Sequence, residues 1–133
     1  MSILDHITLV VSDYARSKAF YTRALAPLGI EPVFEYGHAC GFGRGPKPDF
    51  WIGKGPTSFQ SPDHLRLITP THVAFAARTR AEVDAFHAAA VAAGARDFGR
   101  PGLRPEYHAH YYGAFVLDPD GHDVEAVVHA PPA

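Results

Sequence analysis

Two histidines occupy the same place in two strand-like segments of this 133-residue chain. His6 is the second residue of DHITLVV, and His72 is the second residue of THVAFAA. Because side chains alternate along a strand, each histidine lies on the face opposite the bulkier apolar residues. The pattern therefore predicts that both imidazoles line a surface that faces away from the helices.

A carboxylate completes a candidate metal site. Glu125 lies in the middle of the apolar segment HDVEAVV, where an unpaired charge is costly to bury. Two imidazoles and one carboxylate can bind a divalent metal and leave coordination positions open for a substrate. A single strand histidine is more often a hydrogen-bonded core residue, so the hypothesis depends on His6, His72 and Glu125 together.

The two histidines are equivalent because the chain contains an internal repeat. The segment HITLVVSDYARSKAFYTRAL aligns with HVAFAARTRAEVDAFHAAAV without a gap. In each half a strand precedes a helix, and Asp13 and Thr79 are the predicted N-caps. Three strand candidates follow each helix, and DPDG at 118–121 has the turn residues of a hairpin between the last two.

This repeated βαβββ order predicts an α+β fold with the helices packed on one side of a mainly antiparallel sheet. The length predicts one domain over residues 1–133. Module one is expected at about 1–55, a loop linker at about 56–70, and module two at about 71–133.

Composition argues against several classes of protein. The formal net charge of −2 gives no electrostatic footprint for nucleic acid or for an anionic membrane. No apolar run approaches the roughly 20 residues of a membrane span, and the first residues lack the features of a signal peptide. We therefore expect a soluble, cytoplasmic protein without a nucleic-acid or membrane partner. Cys40 is expected in the core, and His87 and His122 are expected to face solvent.

A second group of candidate residues precedes the penultimate strand, in GLRPEYHAHYYGAF. His108, His110 and Tyr112 are candidate catalytic residues, because titratable groups at a strand entrance can act as a general base. Tyr111 and Arg104 are candidate substrate contacts, since a guanidinium can hold a carboxylate or phosphate with two hydrogen bonds. The alternative is a solvated loop with incidental histidines.

At these residues the chain resembles the vicinal oxygen chelate superfamily, also called the glyoxalase/bleomycin-resistance/dioxygenase family. The segments DHITLVVSDYARSKAFYTRAL, THVAFAA and YYGAFVLDPDGHDVEAV are similar to its first strand and helix, its second-module strand and its closing hairpin. The resemblance implies paired βαβββ modules that form an incomplete barrel around a divalent metal. It implies His6, His72 and Glu125 as ligands of Zn, Ni, Mn, Fe or Co.

The family's fourth ligand position falls on Trp51 when DFWIG is aligned with DVEAV. Tryptophan cannot ligate a metal, and this departure weighs against glyoxalase I itself. The three remaining ligands resemble those of the extradiol dioxygenase and fosfomycin-resistance branches. Trp51 is then either an aromatic wall of the substrate pocket or a packing residue of the fold.

The resemblance implies two classes of function. The first is a glyoxalase-like, metal-dependent enzyme of lyase or isomerase type that acts on a small oxygen-chelating substrate. Extradiol dioxygenase-like and fosfomycin-resistance-like transferase chemistry are further alternatives of this class. The second is a metal-free protein that binds a drug or small molecule, as in the bleomycin-resistance branch. The family often dimerises, so a homodimer is expected.

Overall fold

The fold consists of two βαβββ halves in succession, in a computed structural model that describes residues 2–56, 58–67 and 70–132. The first half contains β1 (Ile7–Val11), α1 (Tyr14–Leu25), a short 3-10 helix (Ala26–Leu28), β2 (Glu31–Tyr36), β3 (Ala39–Gly43) and β4 (Phe50–Lys54). The second half contains β5 (His72–Ala76), α2 (Arg80–Ala92), β6 (Arg96–Leu103), β7 (Tyr112–Leu117) and β8 (Asp123–Val128).

Each half forms its own four-stranded mixed sheet. The strand orders are β1-β4-β3-β2 and β5-β8-β7-β6. In each sheet the first strand pairs in parallel with the last, and the other two pairings are antiparallel. Over the described residues the two sheets are not closed into a barrel. The predicted α+β class and the repeated βαβββ order are confirmed.

The two helices begin at the predicted caps. The Asp13 side chain accepts a hydrogen bond from the Arg16 amide at 3.0 Å, and the Thr79 hydroxyl accepts one from the Glu82 amide at 3.1 Å. These caps pair amide groups that a helix start leaves without intrahelical partners. Among the described residues, neither helix is long and apolar enough to cross a membrane.

The core is built from the strand faces that carry the bulky residues. Leu9 on β1 and Phe75 on β5 are buried, whereas their neighbours Thr8 and Ala74 are exposed. Side chains of both halves join in one apolar cluster, in which the rings of Phe50 and Phe75 meet edge to face with centroids 5.0 Å apart. The alternation predicted for β1 and β5 is therefore confirmed, and the sheet face away from the helices is left open.

The segment between the halves contains more than a loop. A 3-10 helix at Pro62–Leu67 lies within the predicted linker. Residues 57, 68 and 69 of that linker, and residues 1 and 133 at the ends of the predicted modules, lie outside the described part of the chain.

Candidate functional site

The open face of the second sheet, meaning the face away from α2, carries a buried carboxylate beside an imidazole. The β5–β8 register places Ala74 opposite Glu125. His72 Nε2 lies 3.1 Å from Glu125 Oε1. The Glu125 side chain is only 2% exposed, whereas the His72 side chain is 51% exposed. The carboxylate is therefore held inside the protein, and its imidazole partner reaches solvent.

The other oxygen of Glu125 is also occupied. The Tyr111 hydroxyl donates a hydrogen bond to Glu125 Oε2. Burial, and then this bond, raise the pKa of the Tyr111 hydroxyl, so it remains a proton donor at neutral pH. A Cβ at Gly113 would lie 3.1 Å from Glu125 Oε2, so glycine at this position leaves room for the carboxylate. The position and orientation of the Glu125 carboxylate are thus well determined.

Aromatic and cationic groups surround this pair. The His72 ring is stacked on Phe115, with ring centroids 6.3 Å apart. The Arg104 guanidinium lies 5.5 Å from the centre of the Phe115 ring. Its Nη2 donates to the Arg100 carbonyl at 2.8 Å, which fixes the orientation of its planar fork. Arg104 and Tyr111, both predicted substrate contacts, therefore lie around the His72–Glu125 pair.

The open face of the first sheet carries His6 and Trp51. His6 Nδ1 lies 2.6 Å from Asp5 Oδ1, and the His6 side chain is more than half exposed. His6 and Trp51 line one surface depression, together with Asp5, Thr8, Lys47 and Pro48. The predicted ligand and the predicted aromatic wall are thus neighbours on this sheet.

The strand registers show that Trp51 and Glu125 occupy equivalent positions of the repeat. Trp51 lies opposite Thr8, two residues after His6, and Glu125 lies opposite Ala74, two residues after His72. The predicted alignment of DFWIG with DVEAV is therefore confirmed.

The three predicted ligands do not come together within a single chain. Among the described residues, no set of potential ligand atoms within 4.8 Å of one another contains His6, His72 and Glu125. His72 and Glu125 form a pair on one sheet, and His6 lies beside Trp51 on the other. The ligand assignment remains a prediction. In one copy of the chain, the predicted ligands lie in two separate groups, one on each sheet.

A histidine pair borders the Glu125 site. His108 Nε2 lies 2.7 Å from His129 Nδ1, and both rings contact the edge or face of Tyr111 at 5.5 and 5.2 Å between centroids. The predicted catalytic residue His108 is thus linked to Glu125 through Tyr111. His110 contributes its backbone amide, which donates to His108 Nδ1 at 3.1 Å, and its side chain is exposed.

His129 and Asp123 are members of this site that sequence analysis did not assign. Side chains alternate along β8, so Asp123, Glu125, Val127 and the following His129 share one face of the strand. Extending the alternation by one residue beyond β8 would have identified His129. The alternation also places Asp123 on the face of Glu125, but it does not show that Asp123 contacts His72.

The Tyr112 side chain lies on the face of the second sheet opposite that of Glu125. Its hydroxyl donates to Asp84 Oδ1 on α2 at 2.6 Å, and the Arg80 guanidinium lies 5.0 Å from the centre of its ring. The side chain therefore belongs to the helix-facing side of the second sheet. The structure places this predicted catalytic residue apart from Glu125.

Asp118, Asp120 and His122 form a compact cluster at the β7–β8 turn, with potential ligand atoms within 4.8 Å of one another. By spacing alone the cluster is a possible metal site. Protein donors already occupy its carboxylate oxygens. The Asp118 carboxylate accepts hydrogen bonds from the Tyr21 hydroxyl and from the backbone amides of Asp120 and His122. The Asp120 carboxylate accepts from the backbone amide and the hydroxyl of Ser12. The cluster therefore fits a structural junction that ties the turn to the first half of the chain.

His122 is fully buried, which corrects the expectation that it faces solvent. Its Nδ1 accepts a hydrogen bond from the Thr71 amide at 3.1 Å. In a neutral ring the proton then resides on Nε2, so neither nitrogen offers a free lone pair to a metal. His87 is also largely covered, at 15% side-chain exposure, and its Nε2 lies 3.0 Å from Asp97 Oδ1. Cys40 is buried in the core, as predicted.

Tyr21→Phe is expected to destabilise the protein by about 1–3 kcal/mol, because it leaves an oxygen of the buried Asp118 carboxylate unpaired. The Tyr21 side chain is fully buried, and its hydroxyl donates to Asp118 Oδ2 at 2.5 Å. Urea unfolding of both proteins measures the difference. The exposed Tyr107→Phe is the matched control and should unfold as the parent does. Equal midpoints for Tyr21→Phe and the parent would show that the junction contributes no stability.

Comparisons with known proteins agree with this architecture. A sequence model of the Glyoxalase/Bleomycin resistance protein/Dioxygenase superfamily matches residues 3–126. No curated protein matches the chain. A solved glyoxalase/bleomycin resistance protein from Albidiferax ferrireducens is 30% identical, with a TM-score of 0.75 over 98% of this chain and 100% of that one.

Two further solved structures share the fold at lower identity. TioX from Micromonospora is 16% identical, with a TM-score of 0.70 over 97% of this chain and 100% of that one. FosX, the fosfomycin resistance protein of Listeria monocytogenes, is 22% identical, with a TM-score of 0.64 over 98% of this chain and 92% of that one. The FosX structure is a mutant in complex with Mn(II) and 1S,2S-dihydroxypropylphosphonic acid.

Proposed function

Since the chain belongs to the glyoxalase/bleomycin resistance protein/dioxygenase superfamily, we propose that it is a metal-dependent enzyme of lyase or isomerase type. Its substrate is a small molecule with neighbouring oxygen atoms. The observation that carries this proposal is the pairing of His72 with the buried Glu125 on the open face of the second sheet. A buried carboxylate in an apolar strand is expensive unless it serves an ion or a partner.

The His72–Glu125 pair fits a divalent cation. Ligand atoms about 2.0–2.2 Å from one ion, at tetrahedral or octahedral angles, lie about 2.8–3.6 Å apart. His72 Nε2 and Glu125 Oε1 are separated by 3.1 Å. Both side chains are already oriented by other contacts, so little reorganisation is needed to place two ligands on one ion.

The third ligand, His6, is supplied in this proposal by a second copy of the chain. Each copy carries one half-site with His6 and Trp51 and another with His72 and Glu125. A two-fold axis that brings one half-site against the other creates two identical complete sites per dimer. Neither half-site is complete alone, which explains why the predicted ligands do not meet in the single chain.

The open face of the first sheet has the character of a surface that a second copy would cover. Phe34 and Tyr36 lie there with 54% and 75% of their surface exposed, and Phe34 contacts Trp51 edge to face at 5.9 Å. The register Phe34–Gly41–Trp51 places the Phe34 and Trp51 rings in one row across the sheet. Exposed apolar patches of this kind are common at protein and ligand interfaces.

The residues around the pair have distinct roles in the proposed reaction. His72 and Glu125 would hold a divalent cation, whose Lewis acidity would stabilise negative charge developing on a chelating substrate. Tyr111 orients the Glu125 carboxylate, and Arg104 offers its guanidinium to an anionic group of the substrate. His108, which contacts Tyr111 and His129, is the candidate for moving a proton.

A purified heterodimer of His6→Ala and Glu125→Gln chains tests this arrangement. A homodimer of either variant has no complete site. In the heterodimer, His6 of the Glu125→Gln chain and the His72–Glu125 pair of the His6→Ala chain form one complete site. We expect the heterodimer to bind about one metal ion per dimer at parental affinity, because half of its sites are complete. Coexpression with two affinity tags that contain no histidine yields the mixed species, and elemental analysis counts the metal.

A heterodimer that binds no better than either variant would contradict the shared site, as would a parent protein that sediments as a monomer. A metal-binding heterodimer assayed against 2-oxoaldehydes, epoxides and vicinal diols then identifies the reaction type.

The aromatic side chains on the open face of the first sheet favour a second candidate, a metal-free protein that binds a drug or small molecule. Phe34, Tyr36 and Trp51 offer a stacking surface for a planar ligand. Parent protein purified without a histidine tag distinguishes the two functions. Absence of metal binding in calorimetric titrations with Mn, Ni and Zn would favour the second candidate.

A further inference from the structure

Asp123 contacts the second ring nitrogen of His72. Asp123 Oδ2 lies 2.9 Å from His72 Nδ1, and the two residues are direct partners in the β5–β8 register. The Nε2 of the same ring faces Glu125 at 3.1 Å. Each nitrogen of the imidazole therefore has a carboxylate partner, and the orientation of the ring is determined from both sides.

One oxygen of the Asp123 carboxylate is left without a protein partner among the described residues. This atom, Oδ1, is buried and has no hydrogen-bond partner in the described structure. An unpaired buried carboxylate oxygen costs free energy, and such groups concentrate where a site requires them. The only side chain that Asp123 contacts by an ion pair or hydrogen bond, among the described residues, is His72.

The repeat shows that this pairing is a property of the second half alone. Asp49 precedes Phe50, which lies opposite Ile7, so Asp49 holds the position next to His6 that Asp123 holds next to His72. Asp49 Oδ1 instead accepts from Lys47 Nζ at 2.7 Å, and its side chain is 71% exposed. The strand register by itself therefore does not produce an aspartate–histidine pair.

We infer that Asp123 is a positioning residue for the metal site, an inference that rests on the proposed function. By accepting a hydrogen bond from the Nδ1–H of His72, it keeps the proton on Nδ1. The lone pair of Nε2 is then directed toward the Glu125 carboxylate, where both groups would hold the cation. A carboxylate behind a ligating histidine also raises the basicity of the imidazole and restricts its rotation.

Calorimetric titration of the full-length protein with Zn²⁺ tests the inference. Asp123→Ala is expected to weaken zinc binding about 10- to 100-fold, the usual effect of losing the partner behind a ligating histidine. Asp123→Asn keeps an acceptor oxygen without the charge, and its affinity should lie between those of the parent and Asp123→Ala. Asp97→Ala is the matched control, because it removes a carboxylate from a histidine outside the site, His87.

Nitrogen-15 NMR of the zinc-loaded proteins adds a readout that a purely structural role would not change. The parent should show His72 with a metal-bound Nε2 and an Nδ1–H proton shifted downfield by its hydrogen bond to the Asp123 carboxylate. Asp123→Ala should keep the metal on Nε2 but lose this downfield shift. Thermal unfolding of the metal-free variants establishes that each is folded.

Three results would overturn the inference. The first is parental zinc affinity in Asp123→Ala, and the second is an equal loss in Asp97→Ala, which would indicate a general effect on the fold. The third is an Asp123→Ala spectrum in which the Nδ1–H proton of His72 keeps the downfield shift that it has in the parent. A parent that binds no zinc would instead refute the proposed function itself, so the two failures are distinguishable.

Discussion

Glu125→Gln is expected to weaken divalent-metal binding more than about 100-fold, since partners behind a ligand already contribute about 10- to 100-fold. The change preserves the shape of the side chain but removes the only anionic ligand of the proposed set. The neutral amide can still accept a hydrogen bond from the Tyr111 hydroxyl, so the local packing should persist. Calorimetric titration of metal-free protein with Mn, Ni or Zn measures the loss.

The matched control for this prediction is Glu31→Gln on β2, an exposed carboxylate of the first half. It carries the same chemical change and should leave metal binding as it is in the parent. Parental affinity in Glu125→Gln would mean that the ligand assignment is wrong. The second candidate function, a metal-free binding protein, would then explain the open faces and their aromatic side chains better.

Trp51→Glu is expected to tighten metal binding by about tenfold or more, because an added anionic ligand strengthens the attraction for a divalent cation. Trp51 holds the repeat position of Glu125 and lies beside His6. A carboxylate there would complete the four-ligand set that the family resemblance implies. The half-buried indole also loses its contact with Phe34, so we expect a stability cost of about 1 kcal/mol.

Trp51→Gln separates charge from shape in this experiment. Both variants lose the indole, but only the glutamate adds a negative charge to the open face of the first sheet. Tighter binding by Trp51→Glu than by Trp51→Gln would show that position 51 lies beside the cation. Equal affinities would show that position 51 does not lie beside the cation. The register of Trp51 in β4 would stand in either case.

The fold was accessible from the sequence because its signals are local or periodic. The alternation of side chains in β1 and β5 assigned Leu9 and Phe75 to the core and His6 and His72 to the open faces. Because the chain contains a repeat, the strand order predicted for one half could also be predicted for the other. It also predicted the equivalence of Trp51 and Glu125, because a repeat conserves position along the strand whatever the side chain.

The contacts of individual site residues required the tertiary structure. Alternation placed Asp123 on the face of Glu125, but its approach to His72 depends on the pairing of β5 with β8, about 50 residues apart. The hydrogen bond of the buried His122 comes from the Thr71 amide, directly before β5, and the orientation of Tyr112 depends on where β7 begins. None of these contacts follows from residue type or spacing.

The sequence by itself determined which side chains could serve a metal, and only the tertiary structure decided which of them meet. His6, His72 and Glu125 were identified by the periodicity of their own strands, a property that each strand retains in any arrangement of the two sheets. Their separation is set by contacts between the halves, such as the Phe50–Phe75 pair and the hydrogen bonds from Ser12 and Tyr21 to the β7–β8 turn. These contacts form between residues distant in sequence and leave no periodic signal. The placement of His72 with Glu125 on one sheet and of His6 with Trp51 on the other was therefore visible only in the folded chain.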